Sequence, residues 1–280
     1  MLHDQPLIIQ GHRGCRLRYP ENSIEGVVAA FAHGAFAVEI DVWLSADHMP
    51  MVVHDPVLVS PDFGLTAGCT ALTVYAHSAE EVRAIHFGAS DSPRFAHLRP
   101  DAGVPARCYI PDLGSLLDHP GVQPEKINLE IKSDARFDGA WQPDPSSYAR
   151  TVVHFVERRN WLPWRVKSFD LRVLDALAEL RPDWPLHALS EALPADIDAA
   201  FAWCQKRQVL ASTGISVDEV AVDQALVHRA ADAGLHLSVY TVNAVDRMLT
   251  LHALGVRDII TDDPMHLRGA AAAAGLQLAE

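Results

Sequence analysis

Short apolar runs alternate with amphipathic helical stretches along almost the whole 280-residue chain, and this alternation constrains the fold more than any other feature. Strands that are separated by helices are expected to pair in parallel, because a parallel neighbour needs a crossover connection. The pattern predicts strands at Leu7–Gln10, Ala37–Val42, Lys126–Ile131, Arg165–Phe169, Leu186–Leu189, Glu219–Val222, Leu235–Thr241 and Asp258–Thr261. Eight parallel strands in a chain of about this length favour an α/β fold of the closed (β/α)8 or TIM-barrel type over an open doubly wound sheet.

One segment interrupts this rhythm. Residues 56–108 are rich in Gly, Pro, Ser and His and show weak periodicity. We expect them to form a small insertion on the C-terminal rim of the barrel, within a single domain that spans residues 1–280. At the first helix, Asn22 is predicted as the N-cap, with Glu25 at the third helical position completing a capping box.

Composition excludes several classes of function. The chain has 23 Lys and Arg against 36 Asp and Glu, a net charge of −13, so a nucleic-acid partner is not expected. No apolar run reaches the about 20 residues of a membrane span, and the N-terminus does not have the pattern of a signal peptide. The four cysteines are scattered without a CxxC pair, which indicates a reducing, cytoplasmic location. The sequence gives no oligomeric state.

Acidic side chains recur on one face of two predicted strands. Residues two apart in a strand share a face, so Glu39 and Asp41 lie together on the second strand, and Asn128, Glu130 and Lys132 lie together on the third. The intervening apolar residues are expected to face the helices. The polar set is therefore expected to point into the barrel near the C-terminal strand ends, where barrel enzymes keep their active sites.

Three carboxylates in one enclosed mouth need a counter-charge, because burial and mutual repulsion would otherwise disfavour their ionised forms. A divalent cation held by Glu39, Asp41 and Glu130 would supply it, and hard oxygen ligands favour Mg²⁺ or Ca²⁺. Ordinary ion pairs at a strand end are the alternative interpretation of Glu39 and Asp41.

Two of the 15 histidines differ from the rest by their position. His12 ends the first strand and His54 ends a short apolar run, so both are placed to exchange protons near pH 7, although a lone histidine at such a place is more often structural. Arg13 offers a planar fork for phosphate, and Lys132 offers a point charge. Three carboxylates, one divalent cation and these two side chains sum to +1, the charge that a phosphodiester would balance.

Nine short motifs, in order along the chain, resemble those of the glycerophosphodiester phosphodiesterase family. They are His12-Arg13-Gly14, Pro20-Glu21-Asn22-Ser23, Glu39-Ile40-Asp41-Val42, Val53-His54-Asp55, Ile110-Pro111 before Leu113, Glu130-Ile131-Lys132, Ser168-Phe169, Tyr240-Thr241-Val242-Asn243 and Thr261-Asp262 before Pro264. Each motif is weak alone, but together they cover nearly the whole chain and are specific. The family's usual Trp-Thr-Val-Asn has Tyr240 in its first position here.

The resemblance implies metal-dependent hydrolysis of small-molecule glycerophosphodiesters to glycerol 3-phosphate and an alcohol. It implies a divalent cation, Mg²⁺ or Ca²⁺, on Glu39, Asp41 and Glu130, with His12 and His54 as the acid–base pair. Arg13 and Lys132 would then bind the phosphate. Tyr240 either lines the substrate pocket or only packs within the barrel, and which histidine is the acid stays open.

Two other functions are weighed against this one. The same chemistry on a lipid, as in a lysophospholipase D-like or phospholipase-like enzyme, would use the apolar residues of the insertion to hold an acyl chain. These residues are Phe63, Leu65, Leu72, Tyr75, Phe87 and Phe95. They could equally form a small core of the insertion, the interpretation that we prefer. A non-catalytic barrel that binds a phosphate ligand is a remote alternative, because no acid–base or metal residue is missing.

Overall fold

A computed structural model describes residues 5–65, 67–88, 94, 98, 107–207 and 213–280. Its strands are β1 (Ile8–His12), β2 (Ala37–Leu44), β3 (Pro50–Val52), β4 (Val57–Val59), β5 (Phe63–Gly64), β6 (Ala71–Thr73), β7 (His86–Phe87), β8 (Cys108–Tyr109), β9 (Ile127–Ile131), β10 (Arg165–Ser168), β11 (Leu186–Ser190), β12 (Thr213–Asp218), β13 (His236–Tyr240) and β14 (Asp258–Thr261).

The helices alternate with these strands. They are α1 (Ile24–Ala32), α2 (Ala79–Arg83), α3 (Leu113–Leu117), α4 (Pro145–Arg158), α5 (Leu171–Leu180), α6 (Pro194–Gln205), α7 (Gln224–Asp232), α8 (Val245–Leu254) and α9 (Pro264–Ala273). Within the described ranges, no helix is long and apolar enough to cross a membrane.

The strands β1, β2 and β9–β14 pair in parallel and close into a barrel, since β1 pairs with both β14 and β2. The predicted (β/α)8 fold is therefore confirmed. Side-chain alternation explains how the barrel is filled. Val38, Ile40 and Val42 of β2 are fully buried in the core between strands and helices, and the residues between them point inward.

The sixth barrel strand lies earlier than the sequence pattern predicts. It is Thr213–Asp218, and the predicted Glu219–Val222 begins instead with a 3-10 turn. Gly214 leaves room for His187, because a Cβ on that glycine would lie 2.4 Å from the imidazole. Ile215 and Val217 of this strand are fully buried in the main core, whereas Val220, which suggested a strand, is 81% exposed.

The start of α1 also differs from the prediction. Ser23 is the N-cap and accepts a hydrogen bond from the Gly26 backbone N–H at 3.0 Å. Asn22 precedes it with a φ of 58°, in the left-handed region that asparagine tolerates better than most residues. This conformation leaves the Asn22 side chain available for a different role in the barrel mouth.

The insertion carries two small sheets, β4–β6 and β5–β7–β8, over a second core that also includes Trp43, Met51 and Val53 from outside the insertion. Phe63 and Phe87 are buried there with ring centroids 5.8 Å apart, and Leu65 and Leu72 pack against them. Tyr75 packs against the main core instead. Phe95 lies outside the described residues. The insertion's buried aromatic residues thus serve its own packing, and the single-domain assignment stays a prediction.

Deep in the barrel, below the mouth, lies a group of polar side chains that we call the floor cluster: Gln10, Arg165, His236 and Asp258. Gln10 Nε2 donates to Asp258 Oδ1 at 2.5 Å. Arg165 binds the other oxygen, Oδ2, and His236 Nε2 lies 2.7 Å from it. Both oxygens of this fully buried carboxylate therefore have partners within the protein.

Candidate active site

Three carboxylates meet at the barrel mouth, and we call them the carboxylate cluster: Glu39, Asp41 and Glu130. Strand register brings them together, because Asp41 of β2 lies opposite Glu130 of β9, and Glu39 sits two residues before Asp41 on the same face. One oxygen of each lies within 4.8 Å of the others, and all three side chains are buried. These residues could hold a metal ion.

Two oxygens of this cluster have no hydrogen-bond partner among the described residues. They are Glu39 Oε1 and Asp41 Oδ1, and both are shielded from solvent. An unpartnered buried carboxylate oxygen is unfavourable unless a proton or a cation satisfies it. A hard divalent cation suits an all-carboxylate donor set, so the residues present fit Mg²⁺ or Ca²⁺.

Two basic side chains lie beside the carboxylates. Arg13 Nε is 3.2 Å from Asp41 Oδ2, and the Arg13 backbone N–H donates to Glu39 Oε2 at 3.1 Å. Lys132 Nζ lies 2.6 Å from Glu130 Oε1 and 3.6 Å from Asp41 Oδ1. Both basic side chains therefore lie at the edge of the carboxylate cluster.

The acids of the cluster differ in protonation. Burial by itself raises the pKa of Asp41, but Arg13 and Lys132 outweigh it and hold that pKa well below its usual range. Burial together with the neighbouring charges of Asp41 and Glu130 raises the pKa of Glu39 well above its usual range. In the absence of a cation, one proton on Glu39 thus relieves the crowding of negative charge.

Each of the two predicted acid–base histidines is paired with an aspartate. His12 Nδ1 lies 2.7 Å from Asp262 Oδ1, and His54 Nδ1 lies 2.7 Å from Asp55 Oδ1. A carboxylate at Nδ1 favours the tautomer that leaves Nε2 as the acceptor. His12 Nε2 is 4.0 Å from Glu39 Oε2, because His12 of β1 is in register with Glu39 of β2.

The two histidines differ in their surroundings. His12 is mostly buried, and desolvation followed by the charge of Arg13 lowers its pKa below the ordinary value. The side chain of His54 is 30% exposed and lies closer to solvent. The same chemical pair thus occurs once in the barrel wall and once at the start of the insertion.

Four residues of the site carried no catalytic or binding role in the sequence reasoning. Asn22, interpreted there as a cap, donates from Nδ2 to Asp41 Oδ2 at 2.8 Å and accepts from the Asp41 backbone N–H. Glu21 accepts from Arg13 Nη1 at 3.1 Å. Asp55 and Asp262 orient the histidines. A usable signal existed for Asp262, since barrel closure places the end of β14 beside β1.

A cavity of about 180 Å³ opens at this mouth. His12, Arg13, Glu39, His54, Glu130 and Lys132 line it, together with Phe169, Glu191, Tyr240 and the buried Lys167. Lys167 was not expected here. Its Nζ lies 3.3 Å from Ser238 Oγ, and burial, followed by the charge of Arg165, lowers its pKa to about 8.

Tyr240 lines the cavity and is also anchored by a hydrogen bond. Its hydroxyl donates to the Ser190 carbonyl at 2.8 Å, so the group that distinguishes it from the family's usual tryptophan is bonded to the end of β11. Its ring meets Phe169 edge-on, with centroids 6.2 Å apart. The cavity therefore gains an aromatic wall, and the hydroxyl donor is already in use.

A sequence profile of the glycerophosphoryl diester phosphodiesterase family matches residues 12–266. The chain belongs to this family. The expectation of a glycerophosphodiester phosphodiesterase, a phosphoric diester hydrolase, is thereby confirmed. Among family relatives, the glycerophosphodiester phosphodiesterase of Bacillus subtilis (strain 168) is 25% identical over 270 residues, which cover 94% of this chain and 86% of the relative.

Solved structures share the fold. One from Silicibacter pomeroyi DSS-3, provisionally named a glycerophosphoryl diester phosphodiesterase, has a TM-score of 0.81 at 27% identity and covers 99% of this chain and 97% of its own. An Oleispira antarctica phosphodiesterase, solved in complex with the product sn-glycerol-3-phosphate, has a TM-score of 0.72 at 19% identity, covering 97% and 99%. The family fold thus extends over the whole chain.

Proposed function

We propose that this family member hydrolyses glycerophosphodiesters to glycerol 3-phosphate and an alcohol, with a divalent cation on Glu39, Asp41 and Glu130. The observation that carries the proposal is the position of His12 and His54, which line the same small cavity as the carboxylate cluster. Two unpartnered carboxylate oxygens support the cation. The product-bound Oleispira antarctica relative supports glycerol 3-phosphate as the product.

Mg²⁺ and Ca²⁺ both suit the donor set, and either ion, when bound, would polarise a phosphoryl oxygen and favour deprotonation of the attacking hydroxyl. Arg13 and Lys132 bind the phosphate oxygens and stabilise the charge that develops on them. Because both side chains already contact the carboxylate cluster, they are held in place before the substrate arrives.

Proton transfer is assigned to the Nε2 atoms of His12 and His54. One imidazole accepts the proton of the attacking hydroxyl and the other donates a proton to the leaving alcohol oxygen. Asp262 and Asp55 orient the two rings through Nδ1 and stabilise the protonated form that arises during turnover. The arrangement needs no nucleophile from the protein itself.

A small diester suits this site better than a lysophospholipid. The cavity of about 180 Å³ is modest, and the phenylalanines that could have held an acyl chain, Phe63 and Phe87, are buried in the insertion's core. Faster hydrolysis of lysophosphatidylcholine than of glycerophosphocholine would favour the lipid enzyme instead. Tight substrate binding without turnover would favour the non-catalytic barrel.

The test combines two histidine variants with metal removal. His12→Ala and His54→Ala are each expected to lower kcat by about 10²–10⁴-fold, the range for loss of a positioned proton carrier. Release of glycerol 3-phosphate from glycerophosphocholine measures this. His154→Ala, on the exposed face of α4, is the matched control and should keep wild-type activity.

Chelator treatment should abolish activity in the same assay, and added Mg²⁺ or Ca²⁺ should restore it. The ion that restores more activity would be identified as the native one. Full activity of either histidine variant would remove that residue from the mechanism. Unchanged turnover after chelation would contradict the proposed cation.

The location of the enzyme is also proposed from its side chains. Among the described residues, Cys15, Cys69, Cys108 and Cys204 form no disulfide, which supports a reducing compartment such as the cytoplasm.

A further inference from the structure

The insertion reaches the active site through one arginine, Arg94. Its guanidinium lies between two carboxylates, binding Asp55 Oδ2 through Nη1 and donating to Glu21 Oε1 from Nη2 at 2.6 Å. These partners are 39 and 73 residues away in the sequence. A contact of this kind connects the insertion to two separate parts of the barrel mouth.

Each of the two carboxylates leads on to a group of the proposed reaction. Asp55 uses its other oxygen, Oδ1, to hold His54 Nδ1 at 2.7 Å. Glu21 uses the same oxygen, Oε1, to accept from Arg13 Nη1 at 3.1 Å. A continuous chain of charged contacts therefore runs from the acid–base histidine through Arg94 to the phosphate-binding arginine.

Charge explains why an arginine is suited to this position. Glu21 is buried and lies beside Arg13, Arg94 and Arg16; burial opposes ionisation, but the three guanidinium groups outweigh it and lower the pKa of Glu21 to about 2. Two carboxylates this close would repel each other without a shared cation. The planar fork of arginine can bind two carboxylates at once, which the point charge of lysine does poorly.

We propose that Arg94 is a positioning residue that fixes His54 and Arg13 in one geometry, so that the insertion completes the active site. The inference rests on the proposed function for the roles of His54 and Arg13. Arg94 acts through Asp55 and Glu21.

A purely structural role for Arg94 is the competing explanation, and the insertion offers a matched control. Arg83 forms an ion pair with Asp112 at 2.9 Å, in the same insertion but away from the residues that line the cavity. Arg83→Met removes an insertion guanidinium and its ion pair without touching the chain of contacts to His54 and Arg13.

The experiment measures kcat and KM for glycerophosphocholine, together with thermal unfolding, for Arg94→Met, Arg94→Lys and Arg83→Met. Arg94→Met is expected to lower kcat by about 10- to 100-fold, the usual effect of removing a group that orients functional side chains. Arg94→Lys should recover part of that loss. Arg83→Met should stay within about twofold of wild type, because a partly exposed ion pair contributes little.

Proton NMR supplies a readout that does not depend on turnover. The Nδ1–H groups held by Asp55 and Asp262 should give exchange-protected downfield signals, and His54→Ala identifies the one from His54. In Arg94→Met the His54 signal should shift or vanish in exchange, whereas the His12 signal stays. Arg83→Met should change neither signal.

Wild-type kcat together with an unchanged His54 signal in Arg94→Met would overturn the proposal. So would equal losses of kcat and thermal stability in Arg94→Met and Arg83→Met, which would indicate a structural role. If His54→Ala keeps full activity while Arg94→Met still displaces the His54 signal, the proposed function fails and the positioning role of Arg94 stands.

Discussion

The barrel interior contains two groups of buried charge that differ in how completely they are satisfied. In the floor cluster, both oxygens of Asp258 have partners in Gln10, Arg165 and His236. In the carboxylate cluster at the mouth, Glu39 Oε1 and Asp41 Oδ1 have no hydrogen-bond partner among the described residues. Both groups consist of side chains from parallel strands of the same barrel: the floor cluster comes from β1, β10, β13 and β14, and the carboxylate cluster from β2 and β9.

The pKa values of Asp258 in the floor cluster and Glu39 in the carboxylate cluster are shifted in opposite directions. Burial alone raises the pKa of Asp258, but Arg165 and His236 hold it below the ordinary carboxyl range. At the mouth, burial and the neighbouring acids raise the pKa of Glu39. At the floor the protein's own side chains thus balance the buried charge, whereas at the mouth a proton or the proposed cation would satisfy the two carboxylate oxygens that lack a hydrogen-bond partner.

Disrupting the floor cluster should produce the largest effect, a loss of free energy of unfolding. Asp258→Asn leaves Arg165 buried without its counter-ion, and removal of one partner of a buried pair typically destabilises by about 3–5 kcal/mol. Urea unfolding measures this. Asp198→Asn, which breaks the exposed pair with Arg229, is the control and should change stability by at most about 1 kcal/mol. Equal effects of the two variants would contradict the contrast between floor and surface.

Substitution within the carboxylate cluster should weaken cation binding and leave the fold intact. Glu39→Gln removes one of the three proposed carboxylate ligands, so Mg²⁺ or Ca²⁺ affinity should fall by about 100-fold, equivalent to about 2.7 kcal/mol. Isothermal titration calorimetry with each ion measures the change, and Glu179→Gln on the outer helix α5 serves as control. Wild-type cation affinity in Glu39→Gln would remove this residue from the metal site.

The smallest expected effect is on the pH dependence of stability. It tests whether Glu39, unlike Asp258, binds a proton in the folded protein. Because the folded-state pKa of Glu39 is raised, chelated protein binds a proton there that the unfolded chain has already released. Glu39 therefore stabilises the apoprotein at or below the ordinary glutamate pKa, and this contribution is lost as pH rises through the folded pKa. A tenfold difference in proton affinity between the folded and unfolded states corresponds to about 1.4 kcal/mol of stability.

Glu39→Gln should abolish this component. With a chelator present, the variant should lose less stability than wild type as pH rises above about 4.5 towards neutrality, in thermal unfolding series. Parallel curves for the two proteins would show that Glu39 is not the group that carries the proton.

The carboxylate cluster could be predicted because alternation is a local property. Glu39 and Asp41 are two residues apart, and Glu130 occupies the same kind of position on another apolar strand. The N-cap assignment of Asn22 was wrong for a related reason, since two adjacent residues both suit the start of a helix and only the backbone conformation shows that Ser23 takes it. The sixth strand was misplaced because Val220 and Val222 repeat the two-residue spacing of Ile215 and Val217, so spacing alone does not show which of the two runs pairs in the sheet.

The sequence by itself determined the class of fold, the inward carboxylates and the histidines at strand ends, because these follow from spacing along single strands. Only the tertiary structure decided which side chains share a contact across the closed ring. Asp262 meets His12 because β14 closes onto β1, and Arg94 contacts Asp55 and Glu21, which are 39 and 73 residues away in the sequence. Such contacts depend on distances in space between residues far apart in the chain, and no local pattern records those distances.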